Sequence, residues 1–453
     1  MSDSRTAGLL PDAIGLIGPS RLVRVFIYAA LCVLAAELIG AINVPLGGTY
    51  KVVLLPLLWA LLLGAAWGLA TPVLPAPLKV NEGLQSISAA VLQPALLLFV
   101  AKLGLLVGGS LPRIFSSGWA LVFQEFGHFF GTMVFGLPMA LLLGIKREAI
   151  GATFSVGREP SLAIIGEKYG MASPEGRGVL AEYMTGTIFG AVFIAILAGV
   201  VSSLGIFNPL ALAMGAGVGS GSMMAAAAGA IAAQQTPEVA KDVAAFAAAS
   251  NLITTTIGTY FTLFLSLPFT VWAYGVLEPI LGRGKAVDAP AREPPAARAV
   301  AETAVELSLP QLLVAWMIAG AMALIGNFLA YKTVPDAQVI GGLAVIIAAV
   351  IVGYGIYRLT RGIVPAVVWV SLAAMALTYP GMPFAAEIAA LTGKINFLAL
   401  ATPLLAFAGL SIAKDVPVFA KLGWRIVLVS LMANAGTFMD AVLIAQFFMH
   451  TPV

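Results

Sequence analysis

The chain has 453 residues, of which 60% are hydrophobic and only 10% charged, with a mean hydropathy of +1.00. No water-soluble domain of this length needs that balance, so lipid is the solvent for most of it. A formal charge of +3 is too small to imply a nucleic-acid partner, and a single cysteine, Cys32, excludes an internal disulfide and a cysteine metal cluster.

Residues 1–20 carry no basic segment followed by a small-residue cleavage site, so no signal peptide is expected and the first helix directs insertion. Apolar runs bounded by Pro, Gly or charge then predict full spans near 23–44, 52–71, 89–107, 119–143, 179–204 and 243–276. Runs of about 17 to 25 residues suit a helix crossing a hydrocarbon core of roughly 30 Å, whereas barrel strands would be shorter and would alternate. These spans make up a first membrane region, 21–278. Residues 282–310, rich in Pro, Ala, Arg and Glu, read as a solvated linker. A second membrane region, 311–449, adds spans near 312–329, 339–357, 363–379, 397–413 and 424–448. The expected fold is an all-α polytopic membrane protein with about eleven transmembrane helices.

Two further stretches are apolar enough to enter the membrane but too broken by Gly and Ser for ordinary helices: 150–170 (IGATFSVGREPSLAIIGEKYG) and 210–233 (LALAMGAGVGSGSMMAAAAGAIAA). They read as re-entrant hairpins or unwound helices, the alternative being small residues that let helices pack closely. In the first stretch Pro160 argues for a break, because it removes a backbone donor and pushes Glu159 out of helical geometry. With both stretches returning to the side they entered, seventeen basic residues outside the spans fall on one face and five on the other. The positive-inside rule then places the N-terminus and the linker in the cytoplasm and the C-terminus outside. If both stretches crossed, the division would be fifteen against seven.

The chain also resembles itself at a constant offset of 305 residues: Gly104-Leu105 recurs as Gly409-Leu410, Pro112 as Pro417, Gly118-Trp119 as Gly423-Trp424, and Gly131-Thr132 as Gly436-Thr437. Such self-similarity is the trace of duplicated transporter halves. The matching spans are expected to cross in opposite directions, which makes the repeat inverted. A weaker likeness joins the broken stretches, Gly157 with Gly219 and Pro174-Glu175 with Pro237-Glu238. The second copy places its hairpin and span before the linker and its four spans after it, a circularly permuted order.

The motif GREPSLAIIGEKYG, at 157–170, is the most specific sign of a resemblance to the domain-of-unknown-function 3100 membrane family, which covers about 21–278. Residues 96–200 (LLLFVAKLGLLVGG, GREPSLAIIGEKYG, EYMTGTIFGAVFIAILAGV) and 209–268 also resemble, remotely, parts of the two halves of the sodium:glutamate and 2-hydroxycarboxylate symporter group. That resemblance implies inverted halves, hairpin tips meeting near mid-membrane, a scaffold that pairs into a homodimer, and elevator-like movement of the substrate-carrying part. Glutamate-type symporters have Gly-Gly-His-Gly-Thr in the hairpin, whereas this chain has Gly157-Arg158-Glu159-Pro160-Ser161, so glutamate as substrate is not carried over.

A guanidinium at membrane depth is kept only by partners or a polar cavity. At a hairpin tip Arg158 would offer a bidentate fork for a carboxylate, with the backbone donors around Gly157 added to it. The structural alternative is an ion pair of Arg158 with Glu159 or Glu125. Unwound segments expose the oxygen atoms that sodium requires, which adds Ser155, Ser161, Gly219, Ser220, Gly221, Ser222 and Asn251 to the expected substrate site. Glu125, His128, Glu159, Thr185, Thr187, Thr254 and Thr255 are the expected ion-coupling residues. Glu125 and His128 share one helix face and either relay protons or form a buried pair that locks the helix. A hydroxyl on a membrane helix also commonly bonds its own backbone.

No phosphate loop, metal-ligand spacing or nucleophile constellation is present, so neither ATP-driven transport nor catalysis has a motif, and no cofactor is expected beyond sodium or protons. The expected function is a secondary active transporter in the inner membrane, a cation-coupled symporter of a small organic anion such as a carboxylate or an acidic amino acid. The alternatives are a metabolite exporter of the same fold, an ion channel with the Gly/Ser segments as filter, and an intramembrane enzyme using Glu125 and His128.

Overall fold

The structure, a computed structural model, describes residues 18–47, 50–116, 119–157, 159–171, 173–217, 219–283, 307–361, 364–414, 416 and 423–449. In chain order the elements are α1 (Pro19–Ile39), an antiparallel hairpin of β1 (Ile42–Gly47) and β2 (Tyr50–Leu54), α2 (Pro56–Leu69), a 3-10 turn (Ala76–Leu78) and α3 (Glu82–Ser116). There follow α4 (Ala120–Leu142), α5 (Glu148–Thr153), α6 (Glu159–Lys168), α7 (Pro174–Thr185), α8 (Ala191–Ser203), α9 (Pro209–Ala216), α10 (Gly221–Ala232), α11 (Pro237–Phe261) and α12 (Leu267–Leu281). Single π turns, Gly186–Gly190 and Thr262–Ser266, join α7 to α8 and α11 to α12. Beyond the linker come α13 (Leu309–Tyr331), α14 (Ala337–Leu359), α15 (Ala366–Thr378), α16 (Ala385–Gly393), α17 (Phe397–Ile412) and α18 (Trp424–Phe448).

Proline opens α1, α2, α7, α9 and α11, where its missing N–H would have had no partner in any case. Ser173, Asn208, Ser220, Asp336 and Asn396 supply the side-chain oxygen that accepts a first-turn N–H of α7, α9, α10, α14 and α17. Among the described residues eight helices are long and apolar enough to cross a membrane, or nine if the bent pair α16 and α17, inclined by 59°, counts as one span. Large apolar side chains such as Phe264, Trp272 and Phe447 point outward, which suits lipid and not water. The protein is a multi-pass, mainly α-helical membrane protein.

Three of the eleven expected spans come out differently. The run 52–71 loses its beginning to β2, and α2 is only fourteen residues because Pro56 can start a helix but not continue one backwards. The run 363–379 yields a thirteen-residue α15, whose N-cap is Pro365. The run 397–413 is the second limb of the bent pair, restarted by the Asn396 cap after α16 ends at Gly393. The β hairpin itself was not expected, because 42–54 is apolar enough to be absorbed into its neighbours. Most of the linker, 284–306, lies outside the described residues.

Small residues decide the packing. α4 and α18 form the most extensive helix pair and run antiparallel, Gly127 lying against Ala441, Gly131 against Gly436 and Gly136 against Ala433. A Cβ on Gly131 would collide with the carbonyl of Gly436, and one on Gly436 with the carbonyl of Gly131. Gly104 of α3 rests on Ser371 and Ala374 of α15, while Gly409 of α17 rests on Leu61 and Ala65 of α2. In lipid, where apolar surface gives helices no reason to associate, such backbone approach is what holds them together.

Candidate functional site

Both broken stretches are helix, break, helix. α9 ends at Ala216 and α10 begins at Gly221, with Gly219 at φ +67° between them, a conformation that favours glycine. At the end of α9 the N–H of Gly217 closes a last turn on Met214 O at 3.1 Å, and the remaining acceptor capacity of the helix end draws donors from other helices. α11 and α4 supply the donors. Ser250 Oγ donates to Met214 O at 2.8 Å, and His128 Nε2 lies 3.2 Å from both Met214 O and Ser250 Oγ. Asn251 Nδ2 donates to Gly217 O at 2.9 Å and reaches Gly219 O at 3.5 Å. Beyond the break, Ser220 caps Met223 N and its hydroxyl lies 2.9 Å from that of Ser222.

The first break spans the end of α5 at Thr153 to the start of α6 at Glu159. Ser155 Oγ accepts from Gly157 N at 2.9 Å, and Gly157 faces the hydroxyls of Ser155 and Ser161. Ser161 Oγ is buried without a hydrogen-bond partner. Ser266, in the π turn after α11, donates to Phe154 O and lies 3.0 Å from Phe129 O. The base of this stretch is closed by charge: Arg147 Nε donates to the buried Glu175 at 2.8 Å, and Arg177 pairs with Glu148 at 2.7 Å. At that base the Tyr169 phenol is held above its ordinary range, first by burial and then by the carboxylate of Glu175. Residues just before the stretch therefore touch residues just after it. α5 and α7 approach so closely that a Cβ on Gly151 would meet Glu175 O, and one on Gly178 would meet Glu148 O.

One turn of α4 connects the two breaks: His128 bonds to Met214 of the second, and the neighbouring Phe129 shares Ser266 with Phe154 of the first. Glu125, one turn earlier and buried, accepts from Gln124 Nε2 and from Thr254 Oγ1 at 2.8 Å. Of the expected site residues, Ser155, Gly157 and Ser161 gather at the first break, and Gly219, Ser220, Gly221, Ser222 and Asn251 at the second. Glu125, His128 and Thr254 line the α4–α11 contact between them. Thr185, Thr187 and Thr255 instead donate to Ala181 O, Tyr183 O and Asn251 O of their own helices. Arg158 and the side chain of Glu159 lie outside the described residues, so their expected roles rest on the sequence alone.

Reading the sequence passed over Ser250, Ser266 and the Met214 carbonyl. Ser250 adjoins Asn251 and could have been included with it, whereas nothing local marks Ser266. The buried Glu182 accepts from Asn434 Nδ2 at 3.3 Å between α7 and α18. Among the described residues no three His, Cys, Asp or Glu side chains are grouped to hold a metal ion. Elsewhere, a cavity of about 430 Å³ lies between α13, α14 and the α16–α17 joint, lined by Asn327, Tyr331, Asp336 and Lys394 among others. Within it the Asn327 side chain is engaged at both atoms: Nδ2 donates to Lys394 O at 3.0 Å, and Oδ1 accepts from Asn396 N at 2.9 Å.

The profile of a family described as "Protein of unknown function (DUF3100)" matches residues 34–276. No curated protein and no solved structure matches the chain, so the likeness to the symporter group finds no support in those comparisons.

Proposed function

The chain belongs to the DUF3100 family, and from that premise we propose that it is a secondary active transporter: a cation-coupled symporter of a small organic anion, a carboxylate or an acidic amino acid. The observation that carries this reading is the meeting of both breaks at adjacent residues of α4, His128 and Phe129. Broken backbone at membrane depth is tolerated only where protein or a polar cavity satisfies it, and transporters place their sites at such breaks.

In this reading both stretches are re-entrant hairpins. The ion pairs of Arg147 with Glu175 and Arg177 with Glu148 support a first hairpin that leaves at the end it entered. For the second, Asn208 N bonds Gln446 near the end of α18, which lies beside the beginning of α4. α4 and α11 run side by side from Glu125 and Thr254 to Phe130 and Phe269 in α12, so the return to Pro237 is on that same side. The hairpins thus come from opposite faces. The antiparallel α4 and α18, whose counterpart glycines Gly131 and Gly436 touch, support an inverted duplication. So does the exchange of roles between Gly104 on α15 and Gly409 on α2. Movement of the hairpin-bearing part against α1–α3 and α13–α17 gives alternating access in an elevator-like manner, within a homodimer in the inner membrane. The distribution of basic residues supports a cytoplasmic N-terminus.

Arg158 is assigned as the anion anchor. Full-length protein is screened for thermal stabilisation by carboxylates and amino acids, with and without sodium, and the stabilising compounds are then tested for uptake into proteoliposomes. The expected result is concentrative uptake that Arg158→Ala lowers by at least about 100-fold, the loss of a charge-assisted bidentate pair. Unchanged uptake and affinity in that variant would remove Arg158 from the site, and passive flux insensitive to any ion gradient would remove the carrier reading.

A further inference from the structure

Ser250 Oγ has one hydrogen, and the geometry commits it to Met214 O at 2.8 Å. Ser250 Oγ then acts as an acceptor toward His128 Nε2, as does Met214 O, each 3.2 Å away. Nε2 must therefore carry the ring proton, since the other tautomer would set its lone pair against the Met214 carbonyl oxygen. In the neutral ring the free lone pair is on Nδ1, which is buried and has no hydrogen-bond partner.

Sodium finds a poor site at this break. Its hard-oxygen candidates are engaged within the protein: Met214 O by Gly217 N, Ser250 and His128, Gly217 O and Gly219 O by Asn251, and the hydroxyls of Ser220 and Ser222 by each other. The basic atom left over in this cluster is a nitrogen, which takes a proton. Resting on the carrier reading above, we infer that the ion exchanged at the second break is a proton, taken up from water on the lone pair of His128 Nδ1, and not sodium. The proton adds to Nδ1 and no bond between heavy atoms breaks. The resulting imidazolium has an N–H that needs an acceptor, and turning the ring to find one loosens the Nε2 hold on Met214 O, which ties the second break to α4.

The titratable groups that face this ring are few. Glu125 lies one turn away on α4 itself, and from α18 Asp440 lies beside Gly127 and Gly131. α9 and the π turn at 262–266 carry no titratable side chain. The charges of α11 (Glu238, Lys241 and Asp242) are at least two turns from Ser250. Those of α5 and α12 are paired at the other end of α4, Glu148 with Arg177 and Glu278 with Lys146, and Arg425 of α18 belongs to that end as well. Glu125 is the nearest oxygen acceptor for the new N–H, with Asp440 the second.

The chain has two histidines, so a His450→Gln protein carries His128 as its sole imidazole and can be followed by nitrogen NMR after histidine labelling in lipid nanodiscs. At about pH 7.5 the Nε2-protonated tautomer is expected. Stepwise acidification from there should produce the imidazolium, while replacing sodium by choline at fixed pH should leave the signal where it is. A ring that carries its proton on Nδ1, that stays neutral throughout, or that responds to sodium overturns the inference. His128→Gln keeps an N–H donor for Met214 O but has no basic lone pair. In proteoliposomes tested with L-glutamate, succinate and citrate as probes, it should lower pH-gradient-driven uptake by roughly tenfold or more. Uptake of a probe that is driven by sodium alone and survives His128→Gln defeats the proton site and spares the carrier. Titration as expected, with no probe moved by any gradient, defeats the carrier reading and spares the proton site.

Discussion

The two broken stretches are held differently. The first is fixed most firmly at its base, by two ion pairs and by a backbone approach so close that Gly151 and Gly178 admit no side chain, while at its break Ser266 holds Phe154 O and the Ser161 hydroxyl has no partner. The second, joined to α18 at its base through Asn208 N and Gln446, has its densest hold at the tip, where Ser250, Asn251 and His128 add to the bonds on the carbonyls of Met214, Gly217 and Gly219. A stretch anchored at its base can change at its tip without coming loose. A stretch anchored at its tip moves only when that clamp opens. In the proposed carrier, the first would meet the solute and the second would sense the ion that licenses movement.

The largest effect is expected at the base of the first stretch. Gly178→Val drives a branched side chain into the backbone of Glu148, and the protein should lose about 4 kcal/mol or more and fail to elute as a monodisperse species. Gly221→Ala in the second stretch meets only the side chain of Leu96, which can move, and should elute normally. Equal behaviour of these two variants would erase the contrast. A middle effect is expected from Asn251→Leu, which strips donors from Gly217 O and Gly219 O and should cost about 2 kcal/mol. Hydrogen exchange should then rise around 219–223 and stay unchanged around 154–157. The smallest effect is Ser161→Ala, whose hydroxyl bonds nothing, with a stability change within about 0.5 kcal/mol and a measurable loss of solute affinity. A larger loss of stability there would mean that the tip, too, is clamped.

Several features were legible in the residues. The breaks were, because Gly and Ser interrupt runs that are otherwise apolar, although Glu159, expected to be pushed out of helical geometry by Pro160, instead begins α6 with Pro160 in its first turn. The offset that pairs Gly131 with Gly436 picked out two glycines that turn out to touch. Asn251, Glu125 and His128 were also found, since a polar side chain inside an apolar helix stands out wherever it lands. The hydroxyls were less legible: Thr185 and Thr187 carry the same local sign as Thr254 and all three reach carbonyls of their own helices, yet Thr254 also crosses to Glu125.

What the chain determined by itself is its solvent, its helices and the places where they break, for hydropathy, glycine and proline act on their own neighbourhood. The tertiary structure alone decided which end of each break is clamped. Ser266 meets Phe154, His128 meets Met214 and Arg147 meets Glu175 only after helices distant in sequence have packed, and no local pattern encodes a hydrogen bond across that distance. It also turned two expected spans into short helices, because an apolar run records that a segment avoids water and not how far it extends through lipid.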